Sequence, residues 1–92
     1  MRQEQDAIPE RQPERLRWPL CYAAEGWSVT VDRHPDGGLF ALLEGPSPAG
    51  LMLEEGLLPL HRRRWTRLPL TAMPAELTLC PVDGGAHTLT RR

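Results

Sequence analysis

One pattern occurs twice in this chain and constrains its fold more than any other feature. Between Ser28 and Glu44, apolar and polar residues alternate, stop at Asp36-Gly37-Gly38, and resume in extended-type residues. Between Glu76 and Arg91 the same thing happens around Asp83-Gly84-Gly85. Alternation with period two marks a strand with one buried face. An Asp-Gly between two such runs marks a hairpin, because tight turns need positive φ, which glycine adopts without a Cβ clash. The expectation is therefore an all-β protein, a small antiparallel barrel or sandwich of five to seven strands built on two hairpins.

Within these runs the alternation assigns faces. Trp27, Val29 and Val31 should point inward, and Ser28, Thr30 and Asp32 outward. Leu39, Ala41 and Leu43 form one face of the return strand, but Phe40 and Leu42 make the other face apolar too. Such a strand must be central or covered, by the chain itself or by a partner. Leu16, Trp18 and Leu20 alternate in an earlier strand over Arg15–Ala24. Pro19 interrupts it and predicts an edge or a bend, since proline donates no ladder hydrogen bond.

The segment 48–55 stays open between two states. Ser47 could cap a short helix beginning at Pro48 and ending at Gly56, which would make the protein α+β. Gly50 inside it, and Glu54 and Glu55 at its C-terminal end, stand against that helix, and a strand with Leu51 and Leu53 inward competes about equally. Leu57, Leu58 and Leu60 are expected in the core. Residues 1–14 are polar, hold two prolines and only one sizeable hydrophobe, Ile8. They read as a flexible arm ahead of a single domain over 15–92.

At 92 residues the chain can build one modest core. It has no lysine, which excludes Schiff-base and phosphate-loop chemistry that needs one, and no asparagine, which excludes N-glycosylation. Its richness in Leu, Arg, Pro, Ala and Gly matches a GC-rich bacterial genome and says nothing of function. No apolar run approaches the roughly 20 residues that span a bilayer, and no apolar leader opens the sequence. The expectation is a cytoplasmic protein with no membrane contact and with Cys21 and Cys80 reduced.

Net charge is −1 but unevenly spread. Residues 1–60 hold 5 Arg and 10 Asp or Glu, a balance of −5, whereas residues 61–92 hold 6 Arg and 2 Asp or Glu, a balance of +4. The positive excess centres on Arg62, Arg63, Arg64, Trp65 and Arg67, the leading candidate binding residues. If extended, this run places Arg63, Trp65 and Arg67 on one face and Arg62 and Arg64 on the other. Arginines around a tryptophan are enriched at protein–protein hot spots. They also hold phosphates and stack on bases, although the acidic whole disfavours nucleic acid. The structural alternative is a charge-protected edge strand with Trp65 turned into the core.

Other constellations are thinner. His34, Asp36, Asp83 and His87 sit at the two turns and would make a nitrogen and oxygen metal site if the hairpins lay side by side. Cys80 could approach His87 across the second turn as an activated thiol. Ser28 and Ser47 lack the glycines of a nucleophile elbow. The reading that follows is a non-catalytic interaction module, such as an accessory subunit, assembly component or inhibitor-like protein. It binds a protein partner, or a second copy of itself, through edge strands and the Arg/Trp strip, with no metal or other cofactor. Single-stranded nucleic-acid binding through Arg62–Arg67, and a small metal- or thiol-dependent enzyme, are the alternatives.

Overall fold

The computed structural model describes residues 17–92, and the arm expected over 1–14 lies outside the described residues. Eight strands follow one another, one more than the sequence suggests: β1 (Leu20–Ala24), β2 (Trp27–Arg33), β3 (Leu39–Glu44), β4 (Ala49–Leu53), β5 (Gly56–Leu60), β6 (Thr66–Leu68), β7 (Glu76–Pro81) and β8 (His87–Arg91). All pairings are antiparallel, in the order β5-β4-β7-β8-β1-β2-β3-β6. The protein is all-β, and its sheet curls into a nearly closed barrel. Closure comes where the Leu43 N–H of β3 donates to the carbonyl of His61, just past β5, at 3.3 Å.

Both Asp-Gly-Gly sites are hairpin turns. In the first, the Gly38 N–H donates to Asp36 Oδ1 at 2.7 Å and Gly37 takes φ 91°, the left-handed conformation that the turn requires. Two further hairpins turn at Glu25-Gly26 and Glu54-Glu55, with positive φ at Gly26 and Gly56. These turns lack the Asp-Gly signature, which is why the sequence announces two hairpins and the described residues form four.

The alternation then fills the barrel. Trp27, Val29 and Val31 of β2 point inward with Leu39, Ala41 and Leu43 of β3, joined by Tyr22, Leu51, Leu79 and Leu89. Segment 48–55 is a strand and not a helix, with Leu51 fully buried and Leu53 against the core. At Gly45 the chain passes flat against the Trp27 indole, so closely that a Cβ there would collide with the ring.

One expectation is corrected and two are resolved. The edge-or-bend alternative at Pro19 resolves to the bend: the chain bends at Trp18 and Pro19 through a cis peptide, and strand β1 begins only at Leu20, between β2 and β8. Leu57 is 54 % exposed, because the strand alternation that buries Leu58 and Leu60 turns it outward, across Gly50. The outer face of β3 is covered by the chain itself at Phe40, where the His34 ring and the Arg67 guanidinium both lie over the phenyl.

One end of the barrel is crossed by the segment between β6 and β7. The Tyr22 hydroxyl, reaching up from the core, donates to the Pro74 carbonyl, and Arg91 Nη1 donates to the same oxygen at 3.3 Å. The Arg91 N–H donates to the Ala75 carbonyl, and Met73 is buried beneath the crossing. Burial holds the Tyr22 phenol above its ordinary pKa, against a smaller opposing pull from Arg91.

Candidate interaction surface

The basic run does not form the strand that its composition suggests. Between β5 and β6, residues 61–65 leave the barrel wall and form a bulge. The register shows how. Thr66 is paired with Ala41, while His61 bonds Leu43, so two steps along β3 face five along the other segment.

The physical cause is parity. Leu58, Leu60, Thr66 and Leu68 all face inward. An unbroken strand would therefore aim Arg62 and Arg64 into the barrel. Burying an unpaired guanidinium is prohibitively costly, so the chain loops out and re-enters in phase at Thr66. The Oγ1 of Thr66 is the one buried side-chain polar atom among the described residues without a partner, at this point of re-entry. A signal for the bulge exists in the sequence, as even-numbered leucines on both sides of two even-numbered arginines.

The bulge separates the predicted strip into two groups. Arg62, Arg63, Arg64 and Trp65 stand on it, all exposed, with Trp65 46 % accessible and so not turned into the core. Among the described residues, the three arginines make no ion pair. Arg67 belongs to β6 and is held elsewhere. Its guanidinium lies 5.4 Å over the Phe40 ring, contacts Asp36 Oδ2 at 3.3 Å, and covers Gly38, where a Cβ would fall 2.7 Å from Nη2. The Gly38 N–H, then Arg67 and His34, hold the Asp36 carboxyl below the usual carboxylate range.

The remaining candidates are kept apart by the fold. His34 and Asp36, 3.2 Å from each other, sit beyond the end of β2, whereas the His87 ring lies tilted beside Trp27 at its start. Seven residues of strand, about 23 Å, lie between them. No cluster of three or more potential metal ligands occurs among the described residues. Asp83 instead accepts a hydrogen bond from Ser47 at 3.3 Å. His87 is directly opposite the inward Leu79, so Cys80, next along β7, points to the other face from His87. Cys21 and Cys80 are free thiols on strands separated by β8, and Cys21 Sγ lies 3.7 Å from Ser28 Oγ.

What the described surface offers is thus a barrel wall carrying a cationic, aromatic bulge at residues 61–65. No helix long and apolar enough to cross a membrane occurs among the described residues. No protein-family model, curated protein or solved structure matches this chain.

Proposed function

We propose that the protein is a non-catalytic interaction module that engages a protein partner through the 61–65 bulge. One observation carries this reading: the Trp65 indole stands half-exposed beside three arginines that make no ion pair among the described residues, on a segment that leaves the barrel wall. A large aromatic beside guanidiniums is the side-chain combination that supplies most binding energy at protein interfaces. Arg67, satisfied by Asp36 and Phe40, then belongs to the scaffold and Arg62–Trp65 to the contact surface. The same reading places the protein in the cytoplasm, where two unpaired outward thiols are stable.

The test is quantitative capture of partners from the native cell by the full chain, alongside Trp65→Ala and an Arg63→Ala/Arg64→Ala variant. Partners held by the original chain should be lost from both variants while their thermal unfolding is unchanged. Equal capture by all three would overturn the proposal. So would salt-sensitive binding of a single-stranded oligonucleotide that depends on the same residues, which would transfer the bulge to nucleic acid.

A further inference from the structure

The surface contains a second feature that matches the bulge in chemistry and opposes it in charge. At the barrel end crossed by residues 69–75, a groove of about 530 Å³ opens between that segment and the β4–β5 turn. Its lining is largely apolar and includes Met52, Leu70 and Met73, and Glu54, Glu55 and Glu76 line it too. The three carboxylates are exposed and make no ion pair among the described residues. Met52 is 49 % accessible, an uncovered thioether at the rim.

We propose that this groove receives the Arg62–Trp65 bulge of a second copy of the chain, so that the protein assembles head to tail. This rests on the interaction-module reading and names its partner. Three arginines would meet three carboxylates, and the Trp65 ring would lie on the exposed Met52 thioether, a contact sulfur favours. Charge complementarity of this kind steers encounter and fixes register. The two halves cannot meet within one molecule. Glu55 directly precedes β5 and His61 directly follows it, so the acidic turn and the bulge lie at opposite ends of that paired strand. The uneven charge of the sequence is in part this division: Glu54 and Glu55 come from the acidic segment 1–60 and Arg62–Arg64 from the basic segment 61–92, which also supplies Glu76 to the groove. One-way insertion of bulge into groove is heterologous and produces rings or open chains, whereas a closed two-fold dimer would need both insertions at once between the same two copies.

Sedimentation velocity on the full chain tests this, over rising concentration at low and high salt. The average mass should climb past a dimer at low salt and fall back at high salt. Two variants carry reversed charge: Arg62→Glu/Arg63→Glu/Arg64→Glu on the bulge, and Glu54→Arg/Glu55→Arg/Glu76→Arg around the groove. Each alone should associate about a hundredfold more weakly, since like charges are then juxtaposed. Mixed in equal amounts they should associate again, because each variant's bulge now matches the other's groove. The substituted residues are exposed, so both variants should melt with the original chain; Trp65→Ala and Glu76→Arg alone serve as milder versions.

A chain that stays monomeric throughout, a closed dimer, or folded variants that fail to recover on mixing would each overturn head-to-tail assembly. If the chain is monomeric but Trp65→Ala still loses captured partners, the interaction module stands and only its partner is wrong. If Trp65→Ala alters neither association nor capture, the module reading falls as well.

Discussion

Arg63 and Arg67 come from the same basic run, four residues apart, yet the fold treats them as different kinds of residue. Arg67 lies in β6 opposite Phe40, its guanidinium spread over the phenyl ring, Gly38 and the Asp36 carboxylate. Arg63 stands on the bulge, exposed and without an ion pair among the described residues. The difference is one of phase. An odd position re-entering the ladder at 67 faces outward onto a ready-made ring and carboxylate, whereas residues 61–65 have left the ladder. A charge run in a β-protein is therefore not a unit; the ladder divides it into scaffold and surface.

Mutations within this one run break or sharpen the division. The largest effect is expected at Leu68, buried in β6. Leu68→Ala should cost about 2–5 kcal/mol in denaturant unfolding, a large share of the stability of a small domain. Trp65→Ala, only three residues earlier, should stay within about 0.5 kcal/mol because the indole is half-exposed. Similar losses for both would place Trp65 in the scaffold and erase the boundary.

Next comes the Arg67 anchorage. Gly38→Ala drives a Cβ into the guanidinium and Arg67→Ala removes it, so each uncovers the Phe40 ring. Each should cost about 0.5–1 kcal/mol, the range of an exposed cation–π contact. Since both delete one contact, the double mutant should lose no more than the worse single mutant. Additive losses would mean that Arg67 is not what Gly38 makes room for.

A smaller effect should appear in acid. The Asp36 carboxyl is held below its ordinary range, chiefly by the Gly38 N–H and then by Arg67. A depressed folded-state value means the stabilisation is complete above the ordinary carboxylate pKa, about 3.9, and is lost as pH falls through the lowered value. Unfolding midpoints of Asp36→Asn and the original chain should converge in that acid window and separate above it; parallel curves would refute the linkage. Arg63→Ala should show the least, with unfolding unchanged at any pH, because its side chain is exposed and makes no ion pair among the described residues.

Much of this molecule is legible in its amino-acid order. Strands β2, β3, β7 and β8, their faces and their two Asp-Gly-Gly turns follow from alternation and turn chemistry, which act within a few residues. Leu51 is assigned inward once 48–55 is taken as a strand, but the helical alternative has comparable local support. The turns at Glu25-Gly26 and Glu54-Glu55 are readable only as breaks, because glutamate does not close its own turn as Asp36 does. The candidate site is legible in composition and not in shape. Arg62–Trp65 are identifiable, but grouping them with Arg67 assumes a continuous strand.

What sequence alone determined was an antiparallel β-protein with a named inward face, since period-two burial is a local property. Tertiary structure decided everything that depends on which strands become neighbours. It set β1 between β2 and β8, covered Phe40 with His34 and Arg67, and parted the turn histidines by the length of β2. It also expelled residues 61–65, because Leu60 and Thr66 must both face one closed core while Arg62 and Arg64 cannot. Closure of the barrel turned a periodic conflict, invisible within either strand, into a surface.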